Sequence, residues 1–389
     1  MKLLILASHP VQYHAPVFRG ISQQLTKSGH ECLVVYLSDF SIQGYKDPDF
    51  NTSYAWDEPL LEGLRSHILN PNSQKLPHFF ELEATGWSEL LKTERPNRLL
   101  VTNLNYKASV DAVLQAKIAG IPCTLRVETN DNAVRKSQLK DIVRYFIYKS
   151  LYTCFDSAIA IGSLNQQHLI KHGMQADKIG LAYYCVPDRF QKLSLSEKQN
   201  LRQNIRQKLG ITEDQFVVLF CGKLISKKNP ELLLQALQQI PQSQRHQLVM
   251  LYVGSGPLEK NLRSITANIP DLKVHFAGFR NQLELPPYYL AADALVLPSN
   301  RQGETWGLVV NEALQAGLPC IVTDAVGCSV DFAKFPNFQV IPEESVESLA
   351  KAIVKIMHIP RNFERYQLPM QDFSVQHCSN KITSFLLNL

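Results

Sequence analysis

No apolar stretch of this sequence approaches the ~20 residues needed to span a bilayer. The run Leu3 to Ala7 behind Lys2 is shorter than a secretory h-region, and it reads instead as a first β-strand. One-signed charge is scarce as well: 40 Lys and Arg face 35 Asp and Glu, and the resulting +5 is too mild to imply a nucleic-acid partner. The 8 cysteines include no CxxC pair and several sit inside apolar runs such as VLFCGK. That usage reads as small buried hydrophobes in a reducing compartment, not as a disulfide framework or zinc site. Internal repeats and low-complexity segments are absent too. The expectation is a cytoplasmic protein, at most resting on the inner membrane surface.

What is present is alternation. At 389 residues the chain is long enough for two domains of similar size. In the first half, KLLILAS, ECLVVYL, NRLLVTN, IPCTLRVE and SAIAIG alternate with amphipathic segments, the sequence form of βαβ units around a parallel sheet. After VPDRF the pattern turns polar and helical, in LSLSEKQNLRQNIRQKLG, and a second series follows: QFVVLFCG, HQLVMLYVG, KVHFAG, ADALVLPS and LPCIVTD. The predicted fold class is therefore α/β, with two doubly wound, Rossmann-like domains facing across a cleft. The domains are placed at 1–189 and 190–372, with the amphipathic helix 373–389 crossing back onto the first.

The most specific motif is GETWGLVVNEALQAGLPCI, in which Glu304 and Glu312 bracket a helix start at Gly307. Backbone N–H groups of Gly307, Leu308 and Val309 at such a start form an anion site for a diphosphate. Glu304 is positioned to accept from sugar hydroxyls and Glu312 from a ribose diol. In FCGKLISKKNP, a buried strand ends at Gly222 and puts Lys223 and Lys228 on the loop beyond it, where two ammonium groups can neutralise a departing diphosphate.

The Gly254–Gly256 pair in VGSGPLEK reads equally as a tight turn or a ligand contact; Glu259 stands where a dinucleotide fingerprint has its third glycine. Asp47 and Asp49 form a DxD that reads as a turn, not a metal site. In the first domain, His9, Gln12, Tyr13 and His14 crowd the first strand-to-helix loop, and Arg126 and Glu128 end another strand of the same sheet. RKSQLKDIVRYFIYKSLY, 135–152, is a basic amphipathic helix: either an ordinary packed helix with its apolar side in the core, or a surface that rests on anionic lipid.

In GKLISKKNP, VGSGPLEKNL, HFAGF, AADALVLPS and GETWGLVVNEALQAGLPCIV, the chain resembles glycosyltransferase family 4, retaining enzymes of the GT-B fold. SHPVQYHAPVFRG, LRVETN and AIAIGSLNQQHL look like one branch of it. The resemblance implies transfer of a sugar from a nucleotide diphosphate donor, UDP rather than GDP, to a hydroxyl of a glycan, a lipid-linked or a small-molecule acceptor. It places Lys223 and Lys228 on the diphosphate, Glu304 on the transferred sugar, Glu312 on the ribose, and the base near Gly278 and Phe279. No metal or cofactor is implied. Two departures stand out: HPVQYH replaces the family's glycine pair in the first loop, and LRVET lacks its histidine, so that Arg126 or Glu128 takes that place. The competing readings are a nicotinamide-dependent oxidoreductase built on the GSG turn, and a catalytically silent nucleotide-sugar binder of the same fold.

Overall fold

A computed structural model of the chain describes residues 1–42, 44–47, 52–72, 77–135, 138–269 and 271–389. Asp49 of the DxD pair, and Lys136 and Ser137 at the start of the basic helix, lie outside them.

The first half contains β1 (Lys2–Ala7), β2 (Glu31–Ser38), β3 (Tyr45–Asp47), β4 (Thr52–Tyr54), β5 (Ser66–Asn70), β6 (Arg98–Val101), β7 (Cys123–Leu125), β8 (Ser157–Ala160) and β9 (Ile179–Leu181). Its helices are α1 (His14–Lys27), α2 (Trp87–Glu94), α3 (Lys107–Ile118), α4 (Gln138–Tyr152) and α5 (Ser163–Lys171). Seven strands form a parallel sheet in the order β5-β2-β1-β6-β7-β8-β9. β1 shows why both faces must be covered. Leu4 and Leu6 enter the core on one side, Leu3, Ile5 and Ala7 enter the core on the other, and such a strand is stable only between two helical layers. β3 and β4 pair as a separate antiparallel hairpin, so Asp47 ends a strand.

The second half contains α6 (Leu195–Lys208), β10 (Phe216–Cys221), α7 (Glu231–Gln239), α8 (Gln242–Arg245), β11 (Leu248–Val253), α9 (Glu259–Thr266), β12 (Lys273–Phe276) and α10 (Pro286–Ala291). It continues with β13 (Ala294–Leu297), α11 (Leu308–Gln315), β14 (Cys320–Thr323), α12 (Ser329–Phe332), β15 (Phe338–Ile341), α13 (Val346–Ile356) and α14 (Val375–Leu387). The sheet order β12-β11-β10-β13-β14-β15 is the doubly wound 3-2-1-4-5-6 pattern. In both sheets the order reverses beside the first strand, between β1 and β6 and between β10 and β13. A ligand crevice is expected at such a switch point, beyond the carboxyl ends of the strands.

α6 is more than a polar linker. Its Arg202 and Arg206, 9% and 1% exposed, make ion pairs of 2.8 and 3.2 Å with Asp293 and donate to the carbonyls of Leu290, Ala291 and Ala292 at the end of α10. Two buried guanidinium groups are tolerable because Asp293 and these carbonyls accept from most of their N–H groups.

α14 crosses back to the first domain, as its sequence suggested. Cys378, Ile382 and Leu386 join Val17, Phe18, Ile21 and Leu25 of α1 in one core cluster, and Gln24 donates to Ser379 Oγ at 3.0 Å.

α4 departs from the core-packing expectation. Leu139, Ile142, Val143, Phe146 and Ile147 are 72%, 55%, 51%, 63% and 57% exposed, so its apolar side faces outward. Lys140 and Lys149 are exposed on the same helix, with Arg144 half-buried. Among the described residues, no helix is long and apolar enough to cross a membrane.

Candidate active site

β10 ends at Cys221, and the chain turns through Gly222 (φ 143°) into a loop that closes as a short 3-10 turn at Ser226–Lys228. Across the switch point, the loop after β13 carries Glu304 to the start of α11. Between them lies a cleft of about 440 Å³, lined by Gly222, Lys223, Lys227 and Lys228 from one side and by Glu304, Thr305, Trp306, Gly307, Leu308, Val309 and Glu312 from the other.

Glu304 is 6% exposed and paired: Lys228 Nζ stands 2.5 Å from its Oε2, and Ser299 Oγ donates to the same oxygen at 3.0 Å. Burial acts to raise its pKa, but the ammonium groups of Lys228 and Lys227 outweigh that and hold the carboxyl below its ordinary value. Lys227, which the sequence had not distinguished from its neighbours, has a lowered pKa because burial dominates the attraction of Glu304.

The helix start depends on a glycine. Gly307 caps α11 at φ 99°, and a Cβ there would stand 2.9 Å from Val326 Cγ1 and 3.0 Å from Leu297 Cδ2. Val310 N donates to Gly307 O at 2.9 Å, whereas Leu308 and Val309, ahead of it in the first turn, stand at the cleft wall, where helix-start N–H groups have no carbonyl one turn back. Glu312, one turn on, accepts from Tyr289 Oη at 2.5 Å. Burial pushes the Glu312 carboxyl above its ordinary pKa despite that bond and the nearby Arg189. Arg189, also in the cleft wall, is ion-paired with Glu58.

Phe279 and Arg280 close the far end of the cleft, but Gly278 is not part of its wall. Its carbonyl accepts from Gly254 N at 2.9 Å. A Cβ on Gly254 would stand 1.9 Å from Gly222 O, and one on Gly256 would stand 2.6 Å from Leu224 O. The GSG pair is therefore glycine because two backbones meet there; close chain packing, not a dinucleotide, explains it.

On the first domain's side the sequence-selected residues divide. Gln12, Tyr13 and Glu128 line the cleft. Glu128 accepts from Tyr184 Oη and, at 3.2 Å, from Thr305 Oγ1, which ties the two domains together. His14 Nε2 is 2.8 Å from the same Tyr184 hydroxyl, and burial, with Arg126 and His9 nearby, lowers its pKa to about 3. His9 packs against Phe40 with centroids 4.3 Å apart and planes tilted by 44°, and burial lowers its pKa to about 4. Arg126 does not face the cleft. Its guanidinium points into the first domain, donating to Ala182 O at 2.9 Å and to Cys378 Sγ at 3.4 Å, because β7 ends at Leu125 and the next side chain turns inward. Of the two candidates for the histidine's place, only Glu128 reaches the cleft.

A second cavity, about 1240 Å³, begins at Glu128, Thr305 and Lys227 and extends past His9 and Leu104 to Phe79, Phe146 and Ile147. It runs from the cleft between the domains to the exposed face of α4.

Trp306, Tyr184 and Asn311 were not singled out from sequence. Trp306 Nε1 donates to Asn311 Oδ1 at 2.8 Å, and Asn311 Nδ2 donates to Tyr184 O at 3.1 Å, fastening α11 to the segment that follows β9. A tryptophan beside the helix-start glycine was the one available signal.

Two parallel Rossmann-like domains with the cleft at their switch points, and a terminal helix returning to the first, define a GT-B type architecture. Residues 202–367 match the family model of Glycosyl transferases group 1. The chain is 28% identical over 206 residues to the putative teichuronic acid biosynthesis glycosyltransferase TuaC of Bacillus subtilis, covering 51% of this chain and 48% of that protein, about half its length. It is 25% identical over 325 residues to the uncharacterized glycosyltransferase MJ1607 of Methanocaldococcus jannaschii, covering 79% and 76%. Among solved structures, Anabaena HepE in complex with UDP and glucose superposes over 100% of both chains with a TM-score of 0.71 at 19% identity, a likeness of fold.

Proposed function

We propose that this chain is a retaining glycosyltransferase of the family 4 type, transferring a sugar from a UDP-sugar to an acceptor hydroxyl. The observation that carries the reading is the convergence of Lys223, Lys227, Lys228 and the α11 N-terminus on one cleft that also holds the paired Glu304. Cations and helix N–H groups fixed in advance stabilise charge as it develops on the departing diphosphate, and each such group contributes about 2.7–4 kcal/mol to lowering a barrier. They serve in place of a divalent metal. The donor name UDP draws support from HepE, whose solved complex contains UDP and glucose, and from the similar Escherichia coli UDP-Gal:alpha-D-GlcNAc-diphosphoundecaprenol alpha-1,3-galactosyltransferase, 25% identical over 276 residues and covering 69% of this chain and 68% of that protein.

Glu304 accepts from hydroxyls of the transferred sugar, Glu312 from the ribose, and Phe279 lies against the base. Glu128, held by Tyr184 and Thr305, faces the acceptor side. Glu128, the other carboxylate on the acceptor side of the cleft, is engaged by Tyr184 and Thr305, and the step is a same-face substitution: the bond from the anomeric carbon to the β-phosphate oxygen breaks, the acceptor oxygen bonds to that carbon, and its proton passes to the departing phosphate. The acceptor is lipid-linked. Five exposed apolar residues on α4, flanked by Lys140, Arg144 and Lys149, match an anionic bilayer, and the 1240 Å³ cavity joins that face to Glu128. Proton NMR of sugar freshly released from a UDP-α-hexose tests the stereochemistry: the α-anomer must appear first, and initial β-anomer refutes retention.

A further inference from the structure

One cluster takes no part in sugar transfer. α5 carries His168 and, at its C-cap, His172, four residues apart and so on one face of the helix. Asp131 approaches them from the segment between β7 and α4, and the three side chains bring ligand atoms within 4.8 Å of one another. His168 Nδ1 is 3.2 Å from Asp131 Oδ1, and His172 Nε2 is 3.4 Å from Asp131 Oδ2. His172 is 2% exposed, and neither of its ring nitrogens makes a hydrogen bond. The approach of His172 Nε2 to Asp131 Oδ2 at 3.4 Å without a hydrogen bond is what two ligands show when both aim at a third atom. With metal bonds of ~2.0–2.1 Å, two ligands of a tetrahedral zinc stand about 3.3 Å apart.

The surroundings suit ligation. His168 Nε2 is 2.9 Å from Tyr152 Oη; when Nε2 carries the proton and donates to that hydroxyl, the Nδ1 lone pair is left to a metal. The rings of Tyr145 and Tyr148 lie 5.5 and 5.2 Å from His172 and fix its plane. Lys171 Nζ is 3.1 Å from Asp131 Oδ2, but this side chain is 59% exposed and free to swing into water when a cation takes its place. A cavity of about 780 Å³, lined in part by Asp131, His168, Lys171, Arg301 and Asp324, gives entry and a fourth coordination position.

We propose that Asp131, His168 and His172 form a divalent transition-metal site, of a donor set suited to zinc, that pins the interdomain segment to α5. That segment is one of the places where the first domain holds the second. Asn130 Nδ2 donates to Thr305 O at 3.0 Å, Asn132 Nδ2 donates to Asp324 O at 2.6 Å, and Ala133 O accepts from Gly303 N at 2.7 Å. A metal on Asp131 fixes the peptide next to both asparagines, and with them the strand of contacts leading to Glu128.

The test uses the full chain stripped of metal by chelation and titrated calorimetrically with zinc chloride, then with cobalt(II), whose visible absorption reports coordination. One equivalent is expected to bind. His172→Gln and Asp131→Asn are each expected to weaken binding roughly tenfold or more, by removing a direct ligand, while Lys171→Ala tightens it. Because Lys171 is exposed, that variant keeps the test open if a histidine variant fails to fold. Absence of stoichiometric uptake by the native chain, equal affinity in folded Asp131→Asn, or no tightening in Lys171→Ala overturns the site. Metal content and affinity are read without sugar transfer, so failure here leaves the proposed activity standing, and the converse holds.

Discussion

Lys228 and Glu304 meet at 2.5 Å across the switch point of the second sheet, one from the loop after β10 and the other from the loop after β13. Each is held in place by the other. Lys228→Ala is therefore expected to lower turnover by roughly 10²–10³ and also to destabilise the fold by about 1–3 kcal/mol, because a buried carboxylate loses its partner. The double variant Lys228→Ala with Glu304→Gln should recover most of the stability and none of the activity. Urea midpoints and turnover measured on the same preparations separate the two effects; equal midpoints for native chain and Lys228→Ala would remove the pair from the stability argument. The sign with pH follows from the lowered Glu304 pKa: the pair's stabilisation is present above the ordinary value of 4.5 and is lost as pH falls through the folded value.

Glu312 has the opposite sign. Burial raises its folded pKa above 4.5, so its ionised form costs stability near neutral pH. Glu312→Gln should raise the urea midpoint at pH 7, with the gain shrinking as pH falls through the raised folded pKa and gone below 4.5, and should weaken binding of UDP. Calorimetry with UDP beside the melts checks both. A variant that binds UDP as the native chain does would take the ribose role from Glu312.

His14 and His9 bear on the pH profile of the reaction. With pKa values lowered by burial to about 3 and about 4, both rings are neutral from pH 5 to 8. The acid limb of kcat/KM between pH 5 and 8 should therefore be the same in His14→Gln as in the native chain, whatever the loss in rate. A shifted limb would show that His14 titrates there.

Exposure on α4 predicts variants that bind membranes less without unfolding more. Phe146→Ser with Ile147→Ser removes apolar surface worth about 1.5–3 kcal/mol per fully buried side chain, so vesicle affinity should fall by roughly tenfold or more while the thermal midpoint holds or rises. Flotation with vesicles of increasing anionic content and salt checks it. Unchanged flotation would return the acceptor to the soluble class.

Much of this arrangement was legible in the residues. Strands such as KLLILA are buried on both faces and announce themselves as apolar runs, and Gly307 ahead of an apolar run marks a helix start because glycine alone tolerates that turn without strain. The unread strands had weaker signals. β5 is the partly polar SHILN, β9 is three residues long, and β15 alternates too briefly, so their strand character comes from pairing at or near sheet edges. α4 was ambiguous because amphipathicity reports that one face is apolar, not what covers it. Arg126 and Glu128 share a strand end two residues apart, and no local rule told which of them turned inward once the strand stopped at Leu125. Lys227 became distinct from Lys223 and Lys228 only when burial and Glu304 were seen around it.

The most direct measurement is release of UDP when the full chain is incubated with a panel of UDP-hexoses, with and without chelator, first alone and then with anionic vesicles carrying lipid-linked sugars. The expected result is slow, saturable hydrolysis of at least one donor, accelerated by an acceptor-bearing vesicle and abolished by Lys228→Ala or Glu304→Gln. If the folded native chain releases no UDP from any donor and shows no saturable binding of UDP, the cleft between β10 and β13 is not a nucleotide-sugar site, and glycosyl transfer is contradicted.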